Sequence, residues 1–138
     1  GQDWALYVPD RLLEGYGPSA QAFETIKDDG TDLVITVDCG AAATEALSYA
    51  SDIGLDVIVI DHHLMGENIP KALAVINPNR TDDLSGLVHL PAAGVTFLAV
   101  VALNREAKRR GLSPEVKPID CWGYLLSERF AMSCHLQG

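Results

Sequence analysis

Two short apolar runs, each stopped by an aspartate, constrain the fold of this chain more than any other feature. Leu33-Val34-Ile35-Thr36-Val37 ends at Asp38, and Val57-Ile58-Val59-Ile60 ends at Asp61, which His62 and His63 follow directly. Both runs are continuous rather than alternating and rich in β-branched residues, the pattern of strands covered on both faces. Between them Ala46, Leu47 and Ala50 fall at helical spacing within the stretch from Thr44 to Ile53, and Gly54 supplies a C-terminal stop. Strand, helix and strand in this order make a right-handed crossover, so the two strands run parallel.

The rest of the chain extends the same alternation. Trp4 to Val8 predicts a short strand closed by Pro9, which cannot donate to a ladder. Pro18 and Ser19 open a helix that carries Ala22, Phe23 and Ile26 on one face and stops at Asp28, Asp29 and Gly30. Ala74-Val75-Ile76 predicts a third strand, halted by the turn-forming cluster Asn77-Pro78-Asn79. From Gly94 to Arg110, Val95, Leu98, Ala99, Ala102 and Leu103 mark a long helix whose last turn is basic. The expected fold is α/β, a Rossmann-like parallel sheet with helices on both faces.

Composition narrows the possible functions. The 138 residues, 48% of them hydrophobic, suit one compact domain or part of one. Ten basic against nineteen acidic side chains give a formal charge of −9, which excludes a grip on nucleic acid by bulk attraction. No apolar run approaches the roughly 18 residues needed to cross a bilayer, and no signal peptide opens the chain, so a soluble, cytoplasmic protein is expected. Cys39, Cys121 and Cys134 are odd in number and widely spaced, which indicates neither a disulfide framework nor a structural zinc site.

In open parallel sheets ligands bind beyond the carboxyl ends of the strands, where Asp38 and Asp61-His62-His63 both fall. Neighbouring strand tips stand about 5 Å apart, and tips with one strand between them about 10 Å. Either spacing lets carboxylate and imidazole converge on one or two ions, and hard oxygen ligands with imidazole favour Mn²⁺ or Mg²⁺. An aspartate ending a strand is also a common cap for the next helix, a reading that stands beside the metal reading for Asp38. Two successive histidines after an apolar strand lack so simple an alternative, because both rings must find partners on opposite sides of the chain. Cys39 reads as a small buried residue before it reads as a nucleophile, and His89 and His135 stand alone. The Arg105, Lys108, Arg109, Arg110 cluster reads as a solvated helix end.

Several of these segments together resemble one family. Tyr7-Val8-Pro9-Asp10-Arg11 with Glu14-Gly15-Tyr16-Gly17, then Val37-Asp38-Cys39-Gly40, Ile60-Asp61-His62-His63, Asn77-Pro78 and Ala93-Gly94-Val95-Thr96-Phe97 are similar to the DHH phosphoesterase domain of RecJ-type exonucleases. The resemblance implies a metal-dependent enzyme that degrades single-stranded DNA from 5′ to 3′ in repair and recombination, with Mn²⁺ or Mg²⁺ in a two-metal site. It implies that Asp38 and His62 are metal ligands and that His63 is the partner of the scissile phosphate. It makes Asp61 either a metal ligand or the residue that orients a histidine, and it makes the backbone at Gly94 a phosphate contact. Another DHH phosphoesterase, acting on oligonucleotides, nucleotide phosphates or pyrophosphate, is the alternative within the family. A non-catalytic α/β module that binds metal or nucleotide is the alternative outside it.

Two departures qualify the resemblance. The family's aspartate-rich first motif, DxDxDG, would precede Gly1, so residues 1–113 are expected to be a truncated DHH domain, inactive by itself. Residues 114–138 depart from the pattern, being rich in Trp, Cys and Met without period. Back-translated with permitted codons and read in a shifted frame, they yield a string resembling the family's fourth motif, whose aspartate codon would straddle Ala131 and Met132. An out-of-frame tail without function is therefore expected there, and the encoding nucleotide sequence decides it.

Overall fold

The computed structural model describes residues 4–9 and 17–112. The expectations for Asp10–Tyr16, for the tail from 114 onward and for Cys121, Cys134 and His135 lie outside them. The chain divides into two compact units, one ending at Ala92 and one beginning at Ala93. The first contains a three-stranded parallel sheet, the second most of a long helix.

The order of elements is α1 (Ala20–Asp28), β1 (Leu33–Val37), α2 (Thr44–Asp52), β2 (Asp56–Ile60), β3 (Ala74–Ile76) and α3 (Ala92–Arg109). The parallel α/β architecture is the one the two aspartate-terminated runs require. Helix α1 starts where Ser19 accepts a hydrogen bond from the N–H of Ala22, 3.1 Å away, which satisfies one donor of its first turn. Strands lie in the order β1-β2-β3, with Val34 opposite Val57 and Thr36 opposite Val59, which in turn faces Val75. These five side chains share one face of the sheet. Phe23 of α1 and Leu47 and Ala50 of α2 join Leu55, Val57, Val59 and Val75 in the core on that face. Removing seven such apolar groups from water is the main stabilising contribution in this unit.

Two expectations are corrected. Trp4 to Val8 form no strand, and Trp4, Leu6 and Val8 are exposed. Apolar and aromatic composition favours a strand only where a half-buried pleated surface receives it, and these side chains meet solvent instead. Strand β1, expected to be covered on both faces, is covered on one. Leu33, Ile35 and Val37, alternating with the core-facing pair, are 47%, 52% and 40% exposed. Among the described residues β1 is an edge of the sheet, and the core cluster that α1 and α2 help to build lies on its other face.

In the second unit, α3 begins two residues before the expected Gly94, which therefore sits in its first turn. Arg109 and Arg110 both pair with Glu106, at 2.6 and 2.7 Å, on an exposed surface. That is the solvated helix end the sequence predicts. No described helix is long and apolar enough to cross a membrane.

Candidate metal centre

Parallel pairing brings the carboxyl ends of β1 and β2 side by side, since Val37 pairs with Ile60 in the final register. The ladder runs one step further on each side. The N–H of Asp38 donates to the carbonyl of Ile60 and the N–H of Asp61 to that of Ile76, both at 3.0 Å. Both aspartates are thus fixed at neighbouring strand tips by backbone bonds before their side chains make any contact.

The backbone turns sharply after β1. Asp38 has φ +63, the only non-glycine residue with positive φ among those described, and Gly40 follows at φ +106. Aspartate is one of the few L residues that tolerates this region, at some cost. Gly40 is required twice over, because a Cβ there would stand 3.0 Å from Thr36 Oγ1 and 3.2 Å from Val59 Cγ1. Thr36 Oγ1 also donates to the carbonyl of Cys39 at 3.1 Å, bracing the turn from beneath. The next helix, α2, has Ala43 at its N-cap with no side-chain hydrogen bond. Asp38 is therefore not that helix's cap, and its carboxylate faces the second strand tip instead, with Oδ1 3.2 Å from His62 Nε2.

Asp61 has the opposite environment. It is 1% exposed, and both its carboxylate oxygens are occupied by donors of this chain. Oδ2 accepts from the N–H of Ala41 at 2.9 Å. Oδ1 accepts from the N–H of His62 at 2.7 Å, from that of His63 at 3.3 Å, and from His63 Nδ1 at 2.6 Å. Burial is the largest single influence on this carboxyl and works to raise its pKa. The bonds from Ala41, the His63 ring and the His62 and His63 amides together outweigh it and hold the pKa below the usual carboxylate value. A carboxylate at Asp61 can be met only by a donor, so Nδ1 of His63 carries a hydrogen and Nε2 is the ring's other nitrogen.

Asp38, His62 and His63 each place one potential ligand atom within 4.8 Å of the other two. In an octahedral shell with bonds of about 2.0–2.1 Å, adjacent ligand atoms stand about 3 Å apart, so the 3.2 Å between Asp38 and His62 suits a shared divalent ion. One carboxylate oxygen with imidazole nitrogens is a donor set for Mn²⁺ or Mg²⁺ more than for a thiolate-preferring metal. The cluster is half open to solvent, as an ion that exchanges water requires.

Of the residues singled out in the sequence, Asp38, Asp61, His62 and His63 converge. Gly94 belongs to the second unit, in the first turn of α3. His89 is exposed and Cys39 half-buried. Ala41 and Gly40 were read only as parts of a small-residue turn, yet they supply a donor to Asp61 and the space that the turn needs. The Asn77-Pro78-Asn79 cluster, read as a turn, contacts the histidine backbone. Asn77 Nδ2 donates to the carbonyl of His63 at 2.9 Å and Asn79 Nδ2 to that of His62 at 2.5 Å.

Against known proteins, residues 1–121 match the model of the DHH family, N-terminal domain. The single-stranded-DNA-specific exonuclease RecJ of Bacillus subtilis (strain 168) is 43% identical over 101 residues, which are 73% of this chain and 13% of that protein. The protein of the same name from Thermus thermophilus is 37% identical over 122 residues, 87% of this chain and 17% of its length. A crystal structure of exonuclease RecJ bound to manganese superposes with a TM-score of 0.63 at 36% identity, covering 83% of this chain and 28% of that one. The chain thus spans less than a fifth of the length of these two curated relatives.

Proposed function

This chain belongs to the DHH family, and from that premise we propose that it is the part of a metal-dependent exonuclease that hydrolyses phosphodiesters of single-stranded DNA from the 5′ end, in the cytoplasm. The observation that carries the reading is the meeting of Asp38 and His62 at 3.2 Å, beside His63, at the carboxyl ends of two parallel strands.

Asp38 Oδ1 and His62 Nε2 are the ligands of a Mn²⁺ or Mg²⁺ ion. When bound, the ion supplies an activated water and neutralises charge on the phosphate. His63 meets the scissile phosphate with both ring nitrogens donating, Nε2–H to a phosphate oxygen and Nδ1–H to Asp61. Asp61 acts through that ring as a positioning residue. Its two oxygens are engaged by Ala41, His62 and His63, so it serves the histidines rather than the ion. In α3, the amide of Gly94 lies among the first-turn N–H groups that have no partner within a helix, which suits contact with a phosphate.

The test is a chimera in which residues 4–112 replace the matching segment of the Bacillus subtilis protein. Mn²⁺-dependent loss of nucleotides from the 5′ end of single-stranded DNA is expected, and Asp38→Asn and His62→Ala in the chimera should each abolish it. Undiminished cleavage by either variant would overturn the assignment.

A further inference from the structure

The peptide units of His62 and His63 are held from both sides. Their N–H groups donate to one oxygen of Asp61, and their carbonyls accept from two asparagines at the end of the neighbouring strand β3. We propose that Asn77 and Asn79 are positioning residues of the metal centre, a pair of amide donors that fix the backbone from which the His62 ring reaches the ion and the His63 ring the phosphate. The inference rests on the reading of Asp38 and His62 as metal ligands.

Four observations support it. Asn77 is 3% exposed, so its amide must be satisfied within the protein, and the arrangement leaves no ambiguity about which end points where. Its Oδ1 accepts from the N–H of Asn79 at 2.8 Å, an interaction only an oxygen can make, which turns Nδ2 toward the His63 carbonyl. Pro78, also buried, fixes the backbone between the two asparagines, so the first amide sets the position of the second. The turn is itself anchored at both ends. Asp61 N–H bonds to the carbonyl of Ile76 just before it, and Arg80 just after it donates through Nη1 to the carbonyl of Val75 at 2.6 Å. A carbonyl can be met only by a donor, so the isosteric aspartate would place an acceptor against an acceptor at either position.

That isosteric change separates geometry from charge. Asn77→Asp and Asn79→Asp each add a negative charge close to the proposed cation, which by electrostatics alone would tighten binding. If the asparagines hold the histidine backbone, binding must weaken instead, by about tenfold or more, the usual consequence of losing a group that orients a ligand. The experiment is a titration of the 138-residue chain with Mn²⁺ by isothermal calorimetry, for the parent, both aspartate variants and Asp38→Asn, with an apo melting curve for each by circular dichroism.

Loss of affinity in both aspartate variants, with apo melting temperatures close to the parent's, is the result expected. Should Asn77→Asp not fold, Asn79→Asp, at a half-exposed position, carries the test. Equal or tighter binding by the folded aspartate variants while Asp38→Asn loses binding would overturn the role of the asparagines and leave the metal ligands standing. Weakening only in step with a falling melting temperature would reduce them to parts of the scaffold, which also overturns the proposal. A parent that does not bind Mn²⁺, or an Asp38→Asn variant that binds like the parent, would remove the metal centre and this inference with it.

Discussion

The Oδ1 atom of Asp61 and the Nδ1 atom of His63 lie 2.6 Å apart, one on a side chain 2% exposed and the other on a ring 44% exposed. A buried anion thus sets the orientation of a ring that faces solvent. Replacing Asp61 by asparagine keeps the shape but gives one side of the group donors where the protein already presents donors. The new NH₂ must face either the N–H of Ala41 or the N–H groups of His62 and His63. Asp61→Asn is expected to cost about 2–3 kcal/mol, the penalty for an unsatisfied buried polar group. Urea unfolding followed by circular dichroism measures it. A midpoint equal to the parent's would show that Asp61 does not brace the two strand tips.

The same carboxylate makes stability depend on acidity. Its pKa lies below the usual value in the folded chain, because the Ala41, His63 and His62 donors outweigh the larger single effect of burial, which opposes them. The folded state therefore binds the proton less readily than the unfolded state, whose aspartates titrate near about 3.9. The corresponding stabilisation is fully present above that value and is lost as pH falls through the lower, folded value. Unfolding midpoints measured from neutral pH into the acid range should fall below about pH 4 in the parent. In Asp61→Asn, where this group no longer titrates, the fall should be shallower. Parallel curves for the two proteins would contradict the assignment.

Gly40 predicts a loss with two causes. Alanine there would carry an L side chain at φ +106 and push its Cβ to 3.0 Å from Thr36 Oγ1 and 3.2 Å from Val59 Cγ1. Neither neighbour gives way easily, since Thr36 is held by the carbonyl of Cys39 and Val59 lies in the core. Gly40→Ala is expected to destabilise by about 2 kcal/mol or more. A Gly54→Ala control, at positive φ but with open space around it, should cost less. Equal losses would show that the space matters no more than the dihedral angle.

Much of this site was legible in the sequence because strand and chemistry end together. Continuous β-branched runs that stop at Asp38 and Asp61 determine both the parallel pairing and the end of the sheet at which the carboxylates and histidines meet. The role of Asn77 and Asn79 was not legible, because their partners are backbone carbonyls 14 and 17 residues away, and a carbonyl leaves no mark on the residue pattern. That Asp38 does not cap helix α2 was likewise closed to the sequence. It depends on a left-handed dihedral and on helix α2 starting as late as Thr44. Trp4 to Val8 misled for a related reason. A strand is a property of a pair, and five apolar residues specify only one half of it.

Asp38 combines a strained backbone with the ligand role proposed for it, so its substitutions should separate stability from metal binding. Its φ of +63 costs an L residue what it would not cost glycine. Asp38→Gly is expected to gain up to about 1 kcal/mol in urea unfolding, by relieving that conformation, although glycine's freer unfolded chain offsets part of the gain. The same variant should lose Mn²⁺ affinity by more than about tenfold, because the oxygen facing His62 Nε2 is gone. Asp38→Asn gives the complementary result. Asparagine tolerates the left-handed region as aspartate does, so stability should hold within about 0.5 kcal/mol while the loss of charge still weakens the ion's hold. If Asp38→Gly were instead clearly less stable than both, the carboxylate would be holding the turn together, and the left-handed backbone would be a consequence of its bonds rather than a cost borne for a ligand.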